Sequence, residues 1–314
     1  MVKETESSAE QDARNEAAAK ALVETLQPYI PAIGESLRTV QNYANTYVTS
    51  FQAFAKEFER KWQGAMRQAW PVLETLSKID WKAVQAKLEK LPLRSKNAMH
   101  LAAEQGWFFG WNGSLQDVLE LVDGVEGREA CDLDEFLAQY HRDNLEEFST
   151  ALMSCYPHRL EAISAALEAH KLASRSGYLL SIPVLLSQAD GILSEVTETE
   201  SALQKAGRNE DQTRAAKWLK ARFSKSPQSL DLVHPLLNLH ANDLFKSAKQ
   251  RQAVSTASGS AFTALNRHQV MHGEISDYGT ELNSLKAFSF LFFVGLHLPD
   301  ILVYAADEEP AAQD

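Results

Sequence analysis

The sequence predicts an all-α protein: a helical bundle preceded by an N-terminal region of long helices or a helical hairpin. Two observations carry this. Apolar residues recur at spacings of three and four with little sustained alternation, which is the period of helices and not of strands. The composition, 45% hydrophobic and 23% charged over 314 residues, is that of a globular chain with room for one large domain or two ordinary ones.

Residues 1–17 are polar and mixed in charge, so they are expected to be disordered, and they lack the apolar core of a signal peptide. Residues 18–95 form the predicted N-terminal helical region. Its apolar seam runs from Leu22 and Leu26 through Tyr43, Tyr47, Phe51, Phe54 and Phe58 to Trp62, Met66 and Trp70. Such a stripe reads as the core of a hairpin or as a surface for a partner protein. Pro28 and Pro31 should interrupt it and Pro71 should end it. The segment 78–96 alternates Lys and Glu and reaches Leu91-Pro92-Leu93, which reads as a linker after a short helix.

Residues 96–306 form the predicted main domain. It opens on the aromatic stretch Trp107–Gly113, where anchoring to a core is favoured over stacking on bases. Helices are expected near 115–123, 131–154, 158–174 and 176–196, with Pro183 tolerated in the first turns of the last. Asp190 falls inside an apolar run from Leu179 to Ile192, so its carboxylate needs a partner, and Arg267 would serve. After a polar stretch at 197–229, His234-Pro235 should open a helix to about Ser247. Residues 255–260 read as a loop, and 261–272 as a helix closed by Gly273. Thr280 should open the last helix and Pro299 should end it. Residues 307–314 are an acidic tail, expected to be disordered.

The apolar run Ala287–Ala306 is long enough to raise a membrane question, but His297, Pro299 and Asp300 interrupt it. It reads as a buried core helix, with a soluble, cytoplasmic chain and no membrane partner. The two cysteines, Cys131 and Cys155, lack metal-ligand spacing and fit a reducing compartment. A formal charge of −11 counts against nucleic-acid binding by the whole surface. The segment from Lys205 to Arg251, however, carries ten basic and four acidic side chains. That is a local footprint for RNA or nucleotide, or else a solvated helix face.

The most chemically suggestive stretch is Asn266-Arg267-His268-Gln269-Val270-Met271-His272-Gly273. Arginine grips phosphate with a fixed fork of donors, and histidine moves protons near neutral pH. On an ideal helix Arg267 and His272 lie ~140° apart and flank a groove, whereas His268 and His272 share a face. The histidine pair lacks the glutamate of the zinc-protease pattern, and Glu274 could complete a metal site only through a sharp turn. No metal or other cofactor is expected. The plainest structural role for Arg267 and His272 is to hold the helix end and its loop.

Arg267 to His272, with polar His268 beside the arginine, resembles the Arg-x4-His signature of the HEPN superfamily. Three further stretches resemble uncharacterised bacterial HEPN-like proteins. These are Gly273 to Glu281 with the apolar helix after it, Ser181 to Ile192, and Tyr156-Pro157-His158-Arg159 followed by Glu168-Ala169-His170. The likeness spans roughly residues 100–305. It implies a helical bundle that often forms homodimers, with two motifs around a shared cleft, and a metal-independent endoribonuclease of a toxin or phage-defence type acting on RNA. By that likeness His272 handles a proton of the 2′-OH or of the leaving oxygen, Arg267 steadies the phosphate and His268 assists. Asn266, Asp190 and Tyr278 are auxiliary candidates. The alternative is a non-catalytic module of the same fold that binds RNA, nucleotide or, through residues 18–95, a protein.

Overall fold

The computed structural model describes residues 81–111, 115–207, 210 and 212–307. The expected polar end at 1–17, the expected acidic tail at 307–314 apart from Asp307, which ends a helix, and the apolar seam at 22–70 lie outside the described residues. Among the described residues the protein is all-α: helices joined by turns, with an isolated antiparallel bridge, Lys205–Thr213, in place of any strand. Backbone contacts separate Met1–Leu93 from Arg94–Asp314, and the bundle belongs to the second unit.

In chain order the helices are α1 (Trp81–Glu104), α2 (Leu115–Val125), α3 (Ala130–Asp143), α4 (Leu145–Cys155), α5 (Leu160–Lys171) and α6 (Arg175–Val196). Then come α7 (Arg214–Arg222), α8 (Pro227–Leu232), α9 (His234–Leu237), α10 (Ala248–Ser258), α11 (Arg267–Met271) and α12 (Glu281–Phe292). A π turn, Phe293–His297, joins α12 to α13 (Leu298–Asp307).

Helix α6 is central and packs most extensively against α5 and α12. The core runs along α12, where Phe288, Phe290, Phe292 and Phe293 are all buried. Trp107, Phe108, Phe109 and Trp111 are buried as well, so the aromatic stretch anchors the core and offers no rings for base stacking. Lys286 is a cation in this apolar helix, and its burial is tolerated because its ammonium meets Asp134 at 2.8 Å. The same carboxylate accepts the Trp107 indole N–H at 2.7 Å.

Several boundaries differ from the sequence reading, each for a local reason. From residue 81 on, the segment expected to be a linker at 78–96 belongs to the continuous helix α1, which passes through Pro92. The single helix expected at 131–154 breaks at Asn144, whose side-chain amide donates to the Tyr140 carbonyl at 2.8 Å, competing with the helix ladder. The loop expected at 255–260 begins only at Gly259, because the capping box at Ser247 and Gln250 starts α10 late and the left-handed Gly259 ends it.

Two of the helix-interior prolines, Pro183 and Pro299, share one device. Proline has no N–H, so it orphans the carbonyl four residues earlier. For Pro183 that carbonyl belongs to Leu179, and it accepts the Tyr278 hydroxyl at 3.4 Å. For Pro299 it belongs to Gly295, and it accepts the Tyr156 hydroxyl at 3.0 Å. With the π turn absorbing the proline ring, the helix does not end at Pro299, as expected, but continues to Asp307. Burial pushes the Tyr156 phenol up to about 12, so it remains a donor. Tyr156→Phe is expected to lower stability by ~1–2 kcal/mol, measured by urea unfolding, with a smaller loss for Tyr278→Phe across its longer contact.

Among the described residues two helices, Arg175–Val196 and the continuous Glu281–Val303, are long and apolar enough to cross a membrane. The second has 72% of its apolar window buried within the bundle.

Candidate functional site

The motif lies on a single short turn. Helix α11 spans only Arg267–Met271, shorter than the helix expected at 261–272, because Asn266 caps it and the preceding residues are irregular. The Asn266 side chain is fully buried. Its oxygen accepts the Gln269 amide at 3.3 Å and the Arg251 guanidinium at 3.0 Å. Its amide donates to the carbonyls of Asp243 at 2.8 Å and Lys246 at 3.0 Å. Asn266 is therefore the peg that fixes the motif turn to the chain before α10. Asn266→Ala is expected to cost ~2–4 kcal/mol, the loss of a cap plus buried groups left unpaired, and a shifted urea midpoint would report it.

Arg267 opens α11 and pairs through Nη2 with the Asp190 carboxylate of α6, so the partnership expected for Asp190 is present. Both side chains are about one quarter exposed, and Arg267 Nε and Asp190 Oδ1 are buried with no hydrogen-bond partner. Arg267 therefore holds α6 and does not hold the end of its own helix, contrary to the capping role considered from sequence. The capping contact at the far end comes from the His272 backbone N–H, which donates to the His268 and Val270 carbonyls.

His268 and His272 are both exposed, and their ring centroids lie 4.3 Å apart. Gly273, at φ +68°, reverses the chain, and the Glu274 amide donates back to the Gln269 carbonyl at 2.8 Å. The sharp turn thus exists, and it delivers Glu274 to Arg251 at 2.9 Å and to His268 at 3.4 Å. Among the described residues no three His, Cys, Asp or Glu side chains are arranged to hold a metal ion.

Beside the motif is a cavity of about 330 Å³ lined by Leu203, Lys205, Leu239, His240, Leu244, Phe245, Lys246, Arg267 and His268 among others. A second groove shares Lys205, His240 and Ser247 with it and extends to Lys249 and Gln250. Among the described residues, no acidic side chain lines either one. Lys246 is tied to Asp243 and donates to the Ala241 carbonyl at 3.1 Å, which fixes its head at the rim. Part of the basic segment read from sequence therefore faces one groove.

Tyr278 is not brought to this groove. Its hydroxyl is spent on Leu179, three turns or roughly 16 Å along α6 from Asp190. The sequence reading counted Arg251 only as part of the basic segment, whereas it is nearly fully buried and joins Asn266, Glu274 and the Lys246 carbonyl at 3.0 Å. His240, which formed no persuasive site in the sequence, lies on the groove wall. Neither carries a spacing signal, because their partners come from turns with no period.

The other stretches singled out in the sequence converge on α6. His158 and Arg159 both meet Glu195, and Arg159 also reaches Gln188 at 2.9 Å. At the opposite end of α6 a buried chain links His170 to Ser284 at 2.7 Å and Ser284 to Ser181 at 2.8 Å. Comparison with protein-family models, with curated proteins and with solved structures finds no match for this chain.

Proposed function

We propose that the chain is a metal-independent, HEPN-type endoribonuclease whose site is Arg267, His268 and His272. The observation that carries this reading is the groove itself: Arg267 and His268 open onto a cavity whose described titratable lining is basic or imidazole, with the His272 ring tilted against His268 at 4.3 Å between centroids. A phosphodiester placed there meets cationic donors and, among the described residues, no carboxylate. Arg267 is oriented by Asp190, and His268 by Glu274, which Arg251 holds in turn. This is how a carboxylate commonly fixes a working imidazole.

In the reaction, one imidazole takes the proton of the ribose 2′-OH as its oxygen attacks phosphorus. The other gives a proton to the departing 5′-oxygen, and the products are a 2′,3′-cyclic phosphate and a 5′-hydroxyl. His268 is assigned the first step because Glu274 supports it, and His272 the second. Arg267 stabilises the extra negative charge on the phosphoryl oxygens. The protein acts in the cytoplasm as a homodimer that sets two motifs around one cleft, in a toxin or defence role.

The test is incubation of purified protein with total RNA in EDTA, with product ends analysed for cyclic phosphate. Fragments that vanish in Arg267→Ala/His272→Ala support the reading, and cleavage persisting in that double variant overturns it. Retention of RNA without cleavage by the wild type moves the assignment to a non-catalytic RNA-binding module.

A further inference from the structure

The cavity of about 330 Å³ beside Arg267 has two chemically distinct halves. Cations and imidazoles stand on the motif side, where Lys246, Arg267 and His268 line it. The other half is apolar. Buried Leu239 and Leu244 form its floor, and half-buried Leu203 and Phe245 and the ring of His240 form its walls. Unlike Trp107, Phe108 and Phe109, which are sealed in the core, the Phe245 ring keeps exposed surface. It is braced from behind by Phe290, with ring centroids 4.9 Å apart.

The neutral polar side chains of the lining are already engaged. Thr213 caps α7 by accepting the Ala216 amide at 3.1 Å, and Ser247 caps α10 by accepting the Gln250 amide at 3.4 Å. A ligand in the apolar half therefore meets surface for its faces and few hydrogen bonds for its edge.

We infer that this half is a base subsite, taking one unpaired nucleobase of an RNA strand whose phosphate lies on Arg267 and His268. The inference rests on the reading of those two residues as a phosphate site. A nucleotide has the same two halves as the cavity, a flat base with π faces one sugar away from an anionic phosphate. The volume is at the lower end of small-molecule pockets, which suits a single base and not a stacked pair. Bases inside a duplex have their faces covered by their neighbours, so the substrate class is single-stranded RNA or an unpaired loop. Stacking without edge contacts tolerates any base, so the subsite reads the presence of a base and not its identity. The strand continues over the adjoining groove, where Lys249 is exposed.

The test is binding of a 2′-fluoro RNA dodecamer to the full chain in EDTA, followed by fluorescence anisotropy. Fluorine replaces the attacking hydroxyl, so binding is read without cleavage. The single strand should bind at least about tenfold more tightly than its abasic counterpart or its duplex, with adenine and uracil strands within about threefold of each other. Phe245→Leu, which removes the aromatic face, and Leu203→Trp, which fills the hollow, should each shrink the gap between intact and abasic strands about threefold or more, with helical content unchanged by circular dichroism. Lys249→Ala should weaken both strands alike and lower the salt dependence, as a backbone contact does. An abasic strand or a duplex bound as tightly as the intact single strand overturns the base subsite, and RNA still cut by the wild type then leaves the ribonuclease assignment standing. A gap unchanged in both Phe245→Leu and Leu203→Trp places the base elsewhere and overturns it too. A gap lost in these variants, beside RNA left uncut by the wild type, supports the subsite and overturns the cleavage assignment instead.

Discussion

His272→Ala is expected to slow RNA cleavage by ~10²–10⁴-fold, the usual loss when a positioned acid or base is removed. The same substitution should change stability by no more than ~0.5 kcal/mol, because the side chain is exposed and its ring contact is with exposed His268. This split between activity and stability separates a proton-moving role from a structural one. Arg267→Ala should behave differently. It strands the Asp190 carboxylate, which is only about one quarter exposed, so stability falls by ~1–3 kcal/mol together with activity. Arg267→Lys keeps the charge but loses the fork that serves Asp190 and a phosphate at once, so it should rescue stability better than turnover. Paired kinetics and urea midpoints on the three variants check this. A full loss of activity in Arg267→Ala beside normal activity in His272→Ala would leave the imidazole without its assigned step.

What could be read from sequence follows the physics of period. The helices α2, α5 and α6 carry apolar spacing, and α6 also carries Asp190, a charge in an apolar run that demanded a partner. Arg267 was legible as that partner because arginine is the cation that tolerates partial burial best. The stretch from 234 to 266 was less legible. There the chain makes α9, two 3-10 turns and α10, held by backbone carbonyls and by Asn266 and Arg251 rather than by a repeating face. The motif helix was overestimated for the same reason, since Asn266 looked like a residue inside a helix when it is the cap. The helix ends at Asn144 and Pro299 were misjudged in opposite directions. An asparagine with a carbonyl within reach breaks a helix, whereas a proline whose orphaned carbonyl finds a tyrosine hydroxyl does not.

Acid is expected to destabilise this protein well above the carboxylate range, because two histidines are locked in the core as neutral rings. His141 is fully buried, stacked 5.6 Å from Trp107 and bonded through Nε2 to the Phe108 carbonyl at 2.9 Å. His297 is 3% exposed and wedged against Gly110, where a Cβ would come within 2.9 Å of its ring. Burial lowers both to about 3. Unfolding restores them to about 6.5, so below that pH the unfolded chain binds protons that the native chain refuses. Stability is then constant above about pH 6.5 and falls with acid by ~1.4 kcal/mol per pH unit for each ring, down to the folded values. At pH 5 the two together remove ~4 kcal/mol, much of a typical total of ~5–15. His170 and His234 are lowered by burial too and act in the same direction, whereas burial raises Asp300 and opposes it. The lowered carboxylates Glu195 and Glu281 enter only at lower pH, below the ordinary glutamate range. Urea midpoints between pH 7.5 and 5 should therefore fall steeply. His141→Phe should lower stability near pH 7.5, because the Phe108 carbonyl loses its donor, yet flatten the slope, so that the deficit shrinks toward pH 5. A slope unchanged in that variant would mean that the His141 ring is not the group refusing the proton.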